Sequence, residues 1–119
     1  MTDCYVYVGD PQDPNFHLNG GGDWNYNRPK QLSPDFPPLG GAYNAVFFKW
    51  VEAAGITRKQ TDYGAHVALV TKNQILEFIA DGYAGCEDLP WVAPDLPELK
   101  QFVHFLDTDK QYALVATEF

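Results

Sequence analysis

The segment from residue 10 to residue 41 most constrains the fold of this chain, because proline interrupts it repeatedly and a pair of glycines ends it. Its prolines are Pro11, Pro14, Pro29, Pro34, Pro37 and Pro38. Proline fixes φ and has no backbone N–H, so this stretch cannot run as one helix or as a central strand. Loops longer than about 12 to 15 residues without regular structure are uncommon in compact domains, and they are usually functional or disordered. We therefore expect a long Pro/Gly-rich N-terminal loop at residues 10–41.

The remaining chain has a mixed pattern of helices and strands. Apolar and β-branched runs predict strands at residues 5–8, 66–70 and 111–119, with a polar connection at residues 56–65. Helical spacing of apolar residues predicts helices at residues 42–54, from Thr71 to about Gly82, and from Asp95 to Asp107. Thr71 and Gln74 have the spacing of a capping box, and Asp95 with Glu98 predicts a second cap.

This order of elements predicts one domain over residues 1–119, since no internal repeat or linker divides the chain. The fold class is α/β or α+β: a small sheet of three or more strands with about three helices packed on it. The two terminal strands are candidates to pair at the centre of the sheet. The pattern does not fix the strand order.

Composition narrows the environment in which the chain acts. No apolar run approaches the roughly 20 residues that a membrane-spanning helix needs, and the N-terminus lacks the basic-then-apolar layout of a signal peptide. We therefore expect a cytoplasmic protein.

Acidic residues outnumber basic residues by 16 to 8, for a formal net charge of −8. Such a chain repels nucleic acid and anionic membrane surfaces, so we expect neither as a partner. The excess is regional, because residues 73–109 hold eight acids and a single base, Lys100. A basic protein, such as a toxin or another nucleic-acid-processing enzyme, is the partner that this charge favours.

The stretch HLNGGGDWNYNRP at residues 17–29 combines three glycines with aromatic residues. A phosphate-binding loop requires a helix N-terminus after the glycines, but here an anion, Asp23, follows and no helical pattern begins. Trp24, Tyr26 and Arg28 occupy alternate positions and are residue types enriched in interface hot spots. An extended backbone would place all three on one side. Packing of Trp24 and Tyr26 onto the domain's own core is an equally weighted alternative.

Catalytic and metal-binding patterns are weak in this sequence. It contains no GxSxG or HExxH motif, Cys4 and Cys86 do not form a CxxC pair, and its three histidines are scattered. A dyad of Cys86 with a histidine stays open, because such partners meet only in space. We expect no catalytic residues, no metal and no cofactor.

In general layout the chain resembles the immunity proteins of bacterial toxin systems, which are short, acidic single domains of mixed pattern. The resemblance implies a non-enzymatic protein that binds a cognate toxin and occludes its active site. Phage-encoded inhibitors of bacterial defence share this profile. On this hypothesis the partner-binding residues are the aromatic-bearing stretch and exposed acids further along the chain: Asp23, Trp24, Tyr26, Arg28, Glu87, Asp88, Asp107 and Asp109.

Two other classes of function stay open from the sequence. A small enzyme or ligand-binding domain would use residues 10–41 as a lid over a pocket containing Asp23, Trp24, Tyr26 and His66. A structural component of a larger assembly would instead expose an apolar patch around Phe47, Phe48 or Trp91.

Overall fold

The computed structural model describes residues 4–19, 25–38 and 43–118 as a mixed α+β fold. Its strands are β1 (Cys4–Asp10), β2 (Lys30–Gln31), β3 (Arg58–Asp62), β4 (Ala65–Thr71) and β5 (Gln111–Glu118). Its helices are α1 (Tyr43–Ala53), α2 (Lys72–Gly82) and α3 (Leu96–His104). The strands form one antiparallel sheet in the order β2-β1-β5-β4-β3. In the part of the chain that these ranges cover, no helix has the length and apolar character needed to cross a membrane.

The two terminal strands do pair at the centre of the sheet, as the sequence suggested. β1 and β5 are antiparallel neighbours from Cys4 opposite Glu118 to Gly9 opposite Ala113. β5 also pairs along its length with β4, so it lies third of five strands. This arrangement ties both ends of the described chain into the sheet.

One face of the sheet packs against the three helices and forms the main core. Alternate strand residues, including Val6, Val8 and Leu114, point into this core. α1 contributes Phe47 and Trp50, whose rings contact Phe78 of α2 edge to face. Tyr83, just beyond α2, is also fully buried there.

The ends of the helices follow the predicted signals in two of three cases. Thr71 and Gln74 form the capping box at the start of α2, with both reciprocal hydrogen bonds present. α1 ends before Gly55, which adopts a left-handed φ of 70° that favours glycine. Asp95 is the N-cap residue of α3, as predicted, but its backbone is already helical and its side chain makes no capping hydrogen bond. A proline in the first turn, Pro97, favours the start of α3 instead.

The polar connection predicted at residues 56–65 is wrong, because Arg58–Asp62 forms β3 and pairs with β4 as a hairpin. β3 is the last strand in the sheet order, and Arg58, Lys59 and Gln60 are exposed. An edge strand with charged, exposed residues lacks the apolar alternation by which strands are recognised. Thr61 and Asp62, at its end, are buried.

The long proline-rich segment packs against the other face of the sheet. Tyr7, Val67 and Val115 point away from the helices and form a second, smaller core with Phe16 from the segment, against which Leu18 packs. The described parts of residues 10–41 therefore cover the second face of the sheet, which would otherwise expose apolar side chains.

The same segment then pairs along the edge of β1 and passes to the helix side. The amides of Leu32 and Ser33 donate to the Val8 carbonyl, and the Phe36 amide donates to the Val6 carbonyl. Phe36 is 2% exposed and its ring lies against Phe78 in the main core. These bonds pair part of the open side of β1 within the chain itself.

Candidate partner-binding site

A buried carboxylate, Asp62, binds the part of the proline-rich segment that crosses back over the sheet, at Asn27 and Arg28. It lies at a register irregularity at the end of β3 and is 3% exposed. Arg28 donates from Nε to Asp62 Oδ2 at 2.9 Å and from Nη2 to Oδ1 at 3.4 Å. The amides of Asn27 and Gly64 donate to the same carboxylate at 3.0 Å and 2.8 Å. Both carboxylate oxygens are therefore hydrogen-bonded although the group is removed from water.

These contacts decide the ionisation of Asp62. Burial raises the pKa of this carboxyl, but the hydrogen bonds from Arg28, Asn27 and Gly64 together lower it by a larger amount. The pKa of Asp62 therefore lies below its ordinary value of 3.8. Asp62 is consequently ionised at neutral pH and neutralises the guanidinium of Arg28. The pair is a largely desolvated structural ion pair, with side chains 10% and 4% exposed for Arg28 and Asp62.

The Asn27 side chain hydrogen-bonds both to an earlier part of the same segment, at His17, and to β3, at Thr61. Its Oδ1 accepts from the His17 amide at 3.0 Å, and its Nδ2 donates to the His17 carbonyl at 2.7 Å. Nδ2 also donates to the Thr61 carbonyl at 3.2 Å. This set of bonds anchors the segment to β3 at Asn27.

Pro29, the next residue after Arg28, lies against β1 at Tyr7 and Gly9. Its carbonyl accepts a 3.1 Å hydrogen bond from the Tyr7 hydroxyl. Gly9 permits the close approach, because a Cβ atom added there would lie 2.9 Å from Pro29 Cγ. Burial raises the pKa of the Tyr7 hydroxyl well above its ordinary value, so it remains a hydrogen-bond donor.

Tyr26 projects from this fixed segment into solvent. Its side chain is 80% exposed, and the guanidinium carbon of Arg28 lies 5.0 Å from the centre of its ring. That distance is within the range of a cation–π contact. Tyr26 is therefore presented outward by a side chain that is itself locked to Asp62.

Two further exposed tyrosines lie at the same end of the sheet. Tyr63 follows Asp62 in the turn between β3 and β4 and is 80% exposed. Tyr5 is 39% exposed and belongs to the cross-strand row that runs through Thr117 and Ala65 to Asp62. We call Tyr5, Tyr26 and Tyr63 the tyrosine face.

A cleft of about 590 Å³ adjoins the tyrosine face. Tyr5, Tyr7 and Tyr26 contribute aromatic walls, and Asp13, Asp35 and Lys30 contribute charged groups. It lies over β1 on the face of the sheet opposite the helices, beside the crossing segment.

The structure brings some predicted contact residues together and separates others. Tyr26 and Arg28 are adjacent, but Tyr26 is exposed while Arg28 is largely covered. Asp23 and Trp24 lie outside the described residues. The exposed acids lie in the connections that follow α2 and α3: Glu87, Asp88, Asp107 and Asp109. Their contact with a partner stays a prediction.

Sequence reasoning missed Asn27, Asp62, Tyr5 and Tyr63 as parts of this site. The signal for the last three was weak, because Tyr5 reads as an ordinary strand residue and Asp62 and Tyr63 lie in the stretch interpreted as a connection. Asp62 and Gly64, which lie just before the run AHVALV, are turn residues typical of a hairpin. That signal gives the turn, but not the buried carboxylate.

Two of the residues predicted to line the pocket of an enzyme or ligand-binding domain, Tyr26 and His66, lie on opposite faces of the sheet. His66 lies on the helix side of the sheet. The centre of its ring is 5.0 Å from the centre of the Phe48 ring, and its Nδ1 lies 2.6 Å from Arg58 Nη1. Tyr26 lines the cleft on the opposite face. Of the apolar patch residues, Phe47 is fully buried and Trp91 is half exposed.

Within residues 4–19, 25–38 and 43–118, no group of three or more His, Cys, Asp or Glu side chains has the arrangement of a metal site. No protein-family model, curated protein or solved structure matches the chain. A functional assignment therefore depends on the residues of the site described above.

Proposed function

We propose that this chain is a non-enzymatic binding protein of the immunity type, which neutralises a cognate bacterial toxin in the cytoplasm by covering its active site. The observation that carries the proposal is the presentation of Tyr26. A large aromatic side chain, 80% exposed, is supported by a guanidinium that is itself held by a buried carboxylate. Tyrosine is an effective anchor because it offers a large contact area with few rotatable bonds.

Preorganisation strengthens this argument. Ordering a flexible loop on binding consumes part of the interaction free energy, whereas a loop that is already fixed avoids that loss. Asn27 and Arg28 fix the backbone directly after Tyr26, since their bonds reach Thr61 and Asp62 of β3. Tyr26 thus projects from backbone that is anchored to β3 on its C-terminal side, which suits it to protein recognition.

The charge of the chain supports a basic partner. A net charge of −8 accelerates encounter with a cationic surface such as the substrate cleft of a nucleic-acid-processing toxin. Exposed acids at Glu87, Asp88, Asp107 and Asp109 add to this field. We expect them to raise the association rate, with the tyrosine face supplying most of the affinity.

The test begins with capture of the partner from the native host on the immobilised protein, followed by calorimetric titration of the purified partner. Replacing Trp24 and Tyr26 together by alanine should weaken binding by more than about 2 kcal/mol. The matched control is Phe105→Ala, which removes another exposed aromatic ring, 77% exposed, at the end of α3. It should leave affinity unchanged.

Neutralisation is measured as the loss of the partner's toxic activity when this protein is added. The Trp24 and Tyr26 double variant should fail to suppress that activity at concentrations where the wild type and Phe105→Ala suppress it fully. Equal affinity for the double variant and the wild type would remove Trp24 and Tyr26 from the proposed contact surface. A captured partner with no toxic activity would overturn the immunity role itself.

A further inference from the structure

The cleft beside the tyrosine face has a definite chemistry. Its walls carry the rings of Tyr5, Tyr7 and Tyr26, and two carboxylates, Asp13 and Asp35, lie among them. Aromatic faces attract cations through their quadrupoles, and carboxylates accept hydrogen bonds only. Both features favour a positively charged, hydrogen-bond-donating group.

The charges that line the cleft are unbalanced toward the negative. Among the lining residues that the structure describes, the basic ones are Arg28 and Lys30, and the charge of Arg28 is matched by Asp62 outside the lining. Lys30 shares the described lining with two acids, Asp13 and Asp35. A further cation entering the cleft would therefore restore neutrality.

The two carboxylates are held in place and keep capacity for more donors. Asp13 accepts from the Asn15 amide with Oδ1 and from the Lys30 amide with Oδ2, at 3.0 Å and 2.9 Å. Asp35 Oδ1 accepts from Gln31 Nε2 at 2.8 Å, and Asp35 is exposed. Because each carboxylate oxygen has two lone pairs, both acids can accept a further N–H group.

We propose that this cleft receives the guanidinium group of an arginine side chain on the partner protein, an inference that rests on the proposed function. A guanidinium fits better than an ammonium, because it is planar, stacks on aromatic rings and donates to carboxylates in a fork. Arg28 already lies over the ring of Tyr26, and the 80% exposure of that side chain leaves ring surface for a second planar group. A volume of about 590 Å³ gives room for the side chain and its flanking backbone.

The test titrates the whole protein with N-acetylarginine methylamide as the probe. Binding is measured from changes in the backbone amide chemical shifts of the protein. The matched control compound is N-acetylcitrulline methylamide, which has nearly the same shape and no charge. Saturable shifts should map to residues 26–31 and Asp35 with the arginine compound. The citrulline compound should bind at least about tenfold more weakly, as expected for loss of a charge-assisted contact.

Asp35→Asn is the informative variant, because the asparagine oxygen can still accept from Gln31 while the charge is removed. It should weaken binding of the arginine probe severalfold. Asp81→Asn is the control, since it removes one negative charge from an exposed position on α2 away from the cleft. It should leave probe affinity unchanged.

Three results would overturn the inference: equal binding of the arginine and citrulline compounds, equal loss in Asp35→Asn and Asp81→Asn, or shifts that map away from the cleft. These failures are distinguishable from failure of the proposed function. The latter is tested by the Trp24 and Tyr26 variant with the captured partner, and it stands even if the cleft binds no guanidinium. Selective probe binding together with unchanged partner affinity in Asp35→Asn would overturn the assignment of the guanidinium to the partner.

Discussion

Arg28 and Asp62 lie 34 positions apart in the sequence, and their side chains meet in a nearly buried ion pair that fastens the proline-rich segment to the edge strand β3. The pair lies directly beneath Tyr26, because the same guanidinium supports the tyrosine ring. Stability of the segment and presentation of the exposed tyrosine therefore depend on one contact. This coupling makes the ion pair the first place to perturb.

Replacing Asp62 by asparagine should destabilise the protein by about 3 kcal/mol, because removal of one partner leaves a desolvated charge without compensation. The asparagine amide also presents a donor toward Arg28 or toward the backbone amides that now bond to the carboxylate. The free energy of unfolding, measured by urea denaturation, checks this value.

Asp81→Asn is the control for Asp62→Asn, because it removes the same charge from an exposed helix position and should change stability by less than about 0.5 kcal/mol. If both variants lose similar stability, net charge and not the buried pair accounts for the effect.

Acidification should weaken the same contact. The pKa of Asp62 is lower in the folded protein than its ordinary value of 3.8, so between these two values the unfolded chain binds more protons. Lowering the pH therefore favours unfolding. The contribution of Asp62 is fully present at neutral pH and is lost progressively as the pH falls below about 5 and through the folded pKa.

The measurable consequence is a difference between variants. The stability gap between wild type and Asp62→Asn should be smaller at pH 3 than at pH 7. A gap for Asp62→Asn that is the same at both pH values would contradict the ionised state assigned to this carboxylate.

Gly9 tests the packing of the segment on β1 independently of charge. A Cβ atom there would lie 2.9 Å from Pro29 Cγ and 3.2 Å from Tyr7 Cε2, closer than such atoms normally approach. Gly9→Ala should therefore displace Pro29 and cost about 1 to 3 kcal/mol, as overpacking does.

A second substitution, Pro29→Ala, provides the control for Gly9→Ala because it removes the ring atom nearest to the added methyl group. The loss in the double variant should be smaller than the sum of the two single losses, and urea denaturation of all four proteins measures this coupling. Strictly additive losses would show that the two residues do not clash.

The sequence predicts the central elements of this fold well and the site poorly, for physical reasons. β1, β5, α1 and α2 bury continuous or periodic apolar residues, and such patterns report burial directly. The capping box at Thr71 is a local interaction, so its residues lie within one turn of each other. β3 was missed because its exposed edge removes the apolar pattern.

The site depends on contacts that local patterns do not contain. Asn27 and Arg28 reach β3 over 34 or 35 positions, and nothing in the residue types near Arg28 indicates Asp62 as its partner. Sequence spacing placed Tyr26 and Arg28 on one side as equivalent anchors. The structure distinguishes them, because one side chain is exposed and the other lies in an ion pair.

Tyr26 and Arg28 should accordingly differ in what their replacement changes. Tyr26→Ala removes an exposed ring and one cation–π contact, worth about 0.5 to 1 kcal/mol at such a position, so stability should change little. Arg28→Ala leaves the carboxylate of Asp62 buried without its guanidinium and should cost about 3 kcal/mol or more. Urea denaturation separates the two variants.

Hydrogen exchange gives the local readout of the same difference. In Arg28→Ala, the amide of Asn27, which donates to Asp62, should exchange faster, because the segment opens more often. In Tyr26→Ala that amide should keep its protection, and the Val67 amide in the sheet serves as an internal reference in both. Equal loss of protection in the two variants would mean that the tyrosine ring itself holds the segment in place, and Tyr26 would then be a structural residue and not a presented one.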